Sequence, residues 1–134
     1  MQITTEIDNA IRIVYFMSSE KSKIEAQRLA EISGVPIRFT VKILRKLKLS
    51  GIVKSIKGVH GGYLLNKSPE EISFLDVINA ISGEIYINKC MANDFCCTRP
   101  DIKKTSECEI HKFLNELNEE ISTKLRNKTF NMFN

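Results

Sequence analysis

The sequence predicts a mainly α-helical chain with one small β-hairpin, and three observations support that prediction. Several segments repeat apolar residues at helical spacing, and a glycine-rich stretch separates two short apolar runs near the middle of the chain. A long apolar stripe runs through the last segment. A chain of 134 residues with 43% hydrophobic residues can form one ordinary domain, or a small domain with an extension.

The first predicted helix begins near the N-terminus, where Thr4 or Thr5 can act as its N-cap. Its apolar residues follow the i, i+3, i+4 pattern of a helix that faces a core. These residues are Ile7, Ala10, Ile11, Val14 and Met17.

Two further helices follow and predict a helix-turn-helix. The second helix covers about Ile24 to Ser33 and ends at Gly34, a typical C-cap. Pro36 opens the third helix, which Gly51 ends. We expect its inward positions to be Phe39, Ile43, Leu44 and Leu47, and its outward positions to be Arg38, Thr40, Lys42, Arg45, Lys46 and Lys48.

A β-hairpin is predicted directly after the third helix. Its strands are Ile52 to Ile56 and Tyr63 to Leu65, and the connection between them contains three glycines. Glycine lets a backbone turn tightly and approach a phosphate closely. A hairpin in this place predicts the wing of a winged helix.

Two more helices complete the prediction. Ser73 and Asp76 can cap a helix over Phe74 to Ile81, and Ser106 with Glu109 forms a possible capping box for the last helix. The last helix carries a stripe of Ile110, Leu114, Leu117, Ile121 and Leu125. We expect this stripe to pack against a second copy and form a homodimer, with packing inside one chain as the alternative.

These elements divide the chain into three predicted parts. Residues 1–66 form a winged helix-turn-helix domain that binds DNA, and residues 67–83 form a connecting turn and helix. Residues 84–134 contain a cysteine-rich loop and the dimerisation helix.

Charge is unevenly distributed along the chain. From Ile32 to Pro69 there are eight Lys and Arg residues and no Asp or Glu, while the rest of the chain carries 12 basic and 16 acidic residues. A basic block in an otherwise acidic molecule is typical of a surface that binds a polyanion. Double-stranded DNA is therefore the first candidate partner.

All four cysteines fall in or beside the polar loop of residues 88–107, where no apolar periodicity would bury them. Thiolate and imidazole ligands suit zinc or an iron-sulfur cluster. Because two of the cysteines are adjacent, we expect only one of that pair to bind metal. The candidate ligands are Cys90, Cys96 or Cys97, Cys108 and His111.

The sequence also bears on location and on enzymatic activity. Residues 1–9 carry no apolar core of a signal peptide, and no stretch approaches the length of a membrane span, so we expect a cytoplasmic protein with no membrane partner. In a reducing compartment, clustered cysteines indicate metal or redox chemistry more often than structural disulfides. No catalytic signature is recognisable, so we do not expect an enzyme.

Three segments carry a resemblance to a known family. They read RKLKLSGIVKSIKG at residues 45–58, GGYLL at 61–65 and EISFLDVI at 71–78. Together with the order of the elements, they resemble the Rrf2 family of bacterial transcriptional regulators, which includes IscR-like and NsrR-like iron-sulfur proteins. The resemblance implies a winged-helix homodimer that binds a pseudo-palindromic operator and responds to the state of an iron-sulfur cluster.

The resemblance also implies a ligand set. Cys90, Cys96 and Cys108 match the three cluster cysteines of the family, and His111 matches the histidine that completes an IscR-like [2Fe-2S] site. Residues 97–107 resemble a loop insertion, which leaves Cys97 as an alternative to Cys96. Asp8 matches the carboxylate that NsrR-like members supply from the partner subunit to a [4Fe-4S] cluster.

For DNA, we expect Arg38, Thr40 and Lys42 near base edges or phosphates, and Arg45 and Lys57 on the phosphate backbone. The wing reads Lys57-Gly-Val-His-Gly-Gly-Tyr63, whereas the family pattern is Arg-Gly-Pro-Gly-Gly-Gly-Tyr. We expect His60 to be exposed, with phosphate contact as the alternative.

The predicted function is a transcriptional regulator whose cluster senses iron supply, nitric oxide or redox state. The alternatives are a cluster-free thiol-disulfide sensor and an iron-sulfur carrier or assembly protein.

Overall fold

The computed structural model describes residues 1–133 and confirms the predicted fold class, a mainly helical chain with one antiparallel hairpin. The elements are α1 (Thr5–Ser19), α2 (Ala26–Ser33), α3 (Ile37–Leu49), β1 (Val53–Ile56), β2 (Gly62–Leu65), α4 (Phe74–Ser82) and α5 (Glu109–Asn127). Short 3₁₀ turns lie at Pro69–Glu71, Lys89–Met91, Thr105–Glu107 and Phe130–Phe133. Within residues 1–133, no helix has the length and apolar character needed to cross a membrane.

Helix α1 lies at the centre of the core and packs against α2, α3 and α4. Thr4 is its N-cap, because the Thr4 hydroxyl accepts a hydrogen bond from the Ile7 amide at 3.3 Å. Ile11, which the pattern assigns to the core, is only partly buried, and Ile13 is fully buried instead.

Helix α2 begins two residues later than predicted, because Ile24 pairs with the wing. The backbones of Ile24 and Tyr63 exchange two hydrogen bonds of 2.8 Å and form an isolated β-bridge. Gly34 ends α2 in the left-handed conformation, with φ of +67°, as the sequence predicts. The bridge ties the base of the hairpin to the helix-turn-helix.

Helix α4 has the predicted capping box, in which the Ser73 hydroxyl accepts from the Asp76 amide at 3.1 Å. The predicted capping box of α5 is wrong. Residues 105–107 form a 3₁₀ turn, closed by the Cys108 amide on the Thr105 carbonyl, so helix α5 cannot begin before Glu109. Cys108 is the N-cap instead.

The C-terminal residues fold back onto the N-terminal body, which the sequence reasoning missed. Phe130 is fully buried and stacks on Phe74, with ring centroids 5.0 Å apart. Its amide donates to the Ile72 carbonyl at 3.1 Å, and Thr129 pairs with Ser73 in a β-bridge. Residues 128–133, which we call the C-terminal strap, therefore anchor the end of α5 to α1 and α4.

Candidate nucleic-acid interface and metal centre

Helix α3 presents a basic face opposite the face that it buries. Ile43, Leu44 and Leu47 lie in the core, whereas Arg38 and Arg45 are exposed on the other side of the helix. The guanidinium carbon of Arg38 lies 4.7 Å from the centre of the Phe39 ring, an arrangement typical of a cation–π contact. The outer face of α3 therefore carries fixed positive charge, as an element that enters a DNA groove requires.

Thr40 does not belong to that face, and the prediction of an outward Thr40 is wrong. Its side chain is fully buried, and its hydroxyl donates to the Val35 and Pro36 carbonyls at 3.2 Å each. Thr40 lies on the same helical stripe as Leu44 and Leu47, which explains its burial. Phe39, assigned to the core, is instead 40% exposed.

The tip of the wing is exposed: Lys57 and His60 lie at the surface, and Val59 is 95% exposed. Glycine is required there. Gly58 has φ of +114°, and a Cβ at Gly61 would lie 2.5 Å from the Ile56 carbonyl oxygen. The predicted exposure of His60 is confirmed, while its contact with phosphate stays a prediction.

A carboxylate on α1 faces the lysines of α3, which the sequence reasoning also missed. Lys46 Nζ lies 2.8 Å from Glu6 Oε1, and Lys42 Nζ lies 3.4 Å from the same oxygen. Lys46 also donates to the Ile81 carbonyl at 3.2 Å. The hydrogen bond from Lys46 is the main reason that the pKa of Glu6 lies below its ordinary value, and Lys42 lowers it further.

The candidate metal site forms around His111, on the first turn of α5. His111 Nδ1 lies 3.3 Å from Cys90 Sγ, and the 3₁₀ turn Lys89–Met91 holds Cys90 in this position. Cys108 Sγ accepts from the His111 amide at 3.5 Å. Cys90 therefore contacts the imidazole of His111, and Cys108 contacts the backbone amide of the same residue.

Cys108 is largely buried, and Arg99 places a positive group beside it. Arg99 Nη1 donates to Cys108 Sγ at 3.4 Å, while Arg99 Nε and Nη2 donate to the two carboxylate oxygens of Asp101 at 3.1 and 2.6 Å. The Asp101 hydrogen bond is the main cause of the raised pKa of Arg99, with smaller contributions from Cys108 and Cys97.

The remaining candidate ligands are not gathered at His111. Cys96 is exposed, Cys97 is half-buried, and Asp8 pairs with Arg12 at 2.6 Å on α1. Across residues 1–133, no three His, Cys, Asp or Glu side chains lie close enough together to hold one metal ion. The donor types fit a soft metal or cluster, and the loop would have to bring a third thiol to Cys90 and Cys108.

Helix α5 buries none of its residues in the single chain. Ile110 is 61% exposed and Phe113 is 59% exposed, while Leu114, Leu117 and Ile121 are only partly covered. An amphipathic helix with an open apolar face is typical of an interaction surface.

The profile of the Rrf2 family, described as iron-dependent transcriptional regulators, matches residues 3–133. The chain belongs to the Rrf2 family. A protein of Rhodobacter capsulatus described as an rrf2-like HTH-type transcriptional regulator is 30% identical to this Rrf2 protein over 120 residues, 86% of this chain and 80% of that protein. The regulator IscR of Serratia proteamaculans is 26% identical over 113 residues, which cover 84% of this chain and 65% of IscR.

Solved structures share the fold of this Rrf2 protein. CymR, the global cysteine regulator of B. subtilis, has a TM-score of 0.75 at 19% identity, with 98% of this chain and 94% of CymR covered. IscR of T. potens has a TM-score of 0.69 at 17% identity, with 97% and 83% covered. The winged-helix prediction is therefore confirmed, and so is the prediction of a transcriptional regulator that is not an enzyme.

Proposed function

We propose that this Rrf2 protein is a homodimer that binds a pseudo-palindromic DNA operator. Its affinity for that operator would depend on the state of an iron-sulfur cluster. One observation carries the cluster part of the proposal. Cys90 Sγ contacts the His111 imidazole although 21 positions separate the two residues, and Cys108 Sγ lies at the backbone amide of the same histidine. Thiol and imidazole groups are donors that a soft metal or an iron-sulfur cluster prefers.

The DNA part is supported by the basic faces of α3 and the wing. Arg38, Lys42 and Arg45 would reach the major groove or its phosphates from α3, and Lys57 would contact the phosphate backbone from the wing. His60 lies beside Lys57 at the tip and would meet the same backbone. Rrf2 regulators bind DNA, and these exposed cations form the part of the chain best suited to it.

The dimer part is supported by the open apolar face of α5. At 19 residues the helix is about 28 Å long. Its stripe would bury Ile110, Phe113 and Leu117 against the same stripe of a second copy. A two-fold dimer matches a pseudo-palindromic site, because each copy reads one half-site.

Cys90, Cys108 and His111 would hold the cluster, and the third thiol would come from Cys96 or Cys97. The family resemblance favours Cys96, whereas the half-burial of Cys97 near Arg99 supports Cys97. With His111 as the fourth ligand the cluster would be [2Fe-2S], and with Asp8 of the partner subunit it would be [4Fe-4S]. When bound, the cluster supplies a centre that reacts with oxidants or nitric oxide and depends on iron supply.

The position of the ligands suggests how the signal reaches DNA. Cys108 caps α5 and His111 lies on its first turn, so the ligands belong to the helix that would form the dimer seam. A dimer that binds two half-sites needs its recognition elements about 34 to 36 Å apart. A small rotation of one subunit against the other at the dimer seam can separate one recognition element from its half-site. Loss of the cluster would therefore change operator affinity through α5.

Anaerobic purification followed by iron and sulfide analysis tests the cluster directly. We expect a coloured protein with both elements, and selection of binding sites from random duplexes should yield a pseudo-palindrome. Operator affinity, measured at fixed salt before and after cluster removal, should differ. A protein that contains no iron and cannot be reconstituted with a cluster would contradict the proposal. So would an operator affinity that stays the same after cluster removal.

A cluster-free thiol sensor is the second candidate, and the exposure of Cys96 beside the half-buried Cys97 favours it. Exposed thiols near a cation are typical of reactive cysteines. Such a protein would be colourless, with four titratable thiols and an operator affinity that changes with oxidant. An iron-sulfur carrier is disfavoured, because the family consists of transcriptional regulators.

A further inference from the structure

Glu6 gives the lysines of α3 an internal anionic partner. Lys46 is bound tightly, because its Nζ lies 2.8 Å from Glu6 and also donates to the Ile81 carbonyl, and its side chain is 32% exposed. Lys42 is bound loosely, at 3.4 Å, and its side chain is 60% exposed. The two lysines share one carboxylate oxygen, Oε1.

The two contacts have different consequences for DNA binding. Lys46 is fixed between α1 and α4 and is not free to follow a phosphate. Lys42 is exposed on α3, and its contact with Glu6 is a weak ion pair that breaks at little cost only when a phosphate comes close enough to replace the carboxylate. Lys42 can therefore exchange a carboxylate for a phosphate when α3 comes close enough to DNA.

We propose that Glu6 is a specificity-determining residue that substitutes for a DNA phosphate and holds Lys42 back from non-operator DNA. This inference rests on the proposed DNA-binding function. Non-specific binding depends on the number of phosphates that lysine and arginine neutralise, so withholding one lysine in each subunit weakens it. At an operator, α3 docks deeply, and Lys42 leaves Glu6 for a phosphate.

Carboxylate chemistry supports this arrangement. Glu6 carries a negative charge near neutral pH, so its carboxylate can compete with phosphate for Lys42 at 3.4 Å. Because Lys46 stays bound to Glu6 and Ile81, the carboxylate is not left alone when Lys42 departs.

The salt dependence of binding to a random-sequence DNA duplex tests the inference. Glu6→Gln should make the slope of log K against log salt steeper by about 0.9 per subunit, because Lys42 then joins the contacts with phosphate. Lys42→Ala in the Glu6→Gln background should restore the wild-type slope. Glu20→Gln is the matched control, since it removes the same charge from the C-terminal end of α1 and should leave the slope unchanged.

Lys42→Ala alone tests the inference without disturbing Glu6. It should leave the slope on random duplex unchanged and make the slope on a selected operator shallower by about 0.9 per subunit. A shallower slope on random duplex, or an unchanged slope in Glu6→Gln, would overturn the role of Glu6. If the wild-type protein binds no duplex even at low salt, the proposed function itself fails.

Discussion

His111 Nδ1 lies 3.3 Å from Cys90 Sγ, and this contact joins the first turn of α5 to a 3₁₀ turn that precedes the cysteine-rich loop. The contact fixes both ends of the loop at one place. It also identifies the side chains whose removal should affect iron binding.

Alanine at Cys90, Cys108 or His111 should lower the iron content of anaerobically purified protein several-fold, because each change removes a donor from the same site. Only one of Cys96→Ala and Cys97→Ala should do so. Iron and sulfide per chain, with the visible spectrum, provide the measurement. His60→Ala is the matched control, since this histidine lies on the wing and its loss should leave the iron content unchanged.

Phe130→Ala should destabilise the fold by about 3–5 kcal/mol, because it removes a fully buried ring that stacks on Phe74. Denaturant unfolding followed by circular dichroism measures the loss. Met132→Ala, on the same strap but 55% exposed, should change stability by less than about 1 kcal/mol. A loss for Phe130→Ala as small as that for Met132→Ala would mean that Phe130 does not contribute to the core.

Thr40→Val should reduce stability by about 1–3 kcal/mol, since a valine of similar shape cannot donate to the Val35 and Pro36 carbonyls. Thr40→Ser keeps the hydroxyl and should cost less. Operator affinity per folded molecule should be close to wild type for both, because Thr40 is buried beneath the basic face. A large loss of affinity in stably folded Thr40→Val would restore the original expectation of a DNA contact.

Acid should remove the stabilising effect of Glu6. Folding lowers the pKa of this carboxyl below its ordinary value of 4.5, so its contribution is complete above that pH and is lost as the pH falls through the lower, folded-state value. The wild-type protein should therefore be more stable than Glu6→Gln at neutral pH, and the difference should shrink below about pH 4.5. A melting-temperature difference that does not vary with pH would contradict this prediction.

Local sequence signals were sufficient to predict most helices and the hairpin of the fold. Helical periodicity identifies α1 and α3, Gly34 marks the end of α2, and Ser73 with Asp76 marks the start of α4. Each signal depends on residues that are near one another in sequence, so it can be read without knowing the tertiary structure.

The errors occur where a distant contact decides the local structure. Ile24 is apolar and helix-compatible, but its pairing with Tyr63 removes it from α2. Phe130 carries no local pattern that assigns it to the core, because its partners Ile72 and Phe74 lie far away in the chain. The spacing of apolar residues along the sequence does not reveal contacts between distant segments.

The candidate sites also divide into features that the sequence predicts and features that depend on distant contacts. Composition identifies the basic block and the thiol cluster, but not which thiols meet. The contact of Cys90 with His111, and that of Arg99 with Cys108, depend on the path of the loop. The pairing of Glu6 with Lys42 was missed because 36 positions separate the two residues and neither belongs to a recognisable motif.

The C-terminal strap has a mechanical consequence for α5. Hydrogen bonds of Lys128 and Phe130 to the segment around Ile72 hold the C-terminal end of the helix to the N-terminal body. The N-terminal end instead contacts the cysteine-rich segment, through Cys108 and through the contact of His111 with Cys90. The C-terminal end of α5 is therefore the more constrained of its two ends. A change at the thiols would therefore act first on the N-terminal end of α5, while the strap keeps the opposite end in place.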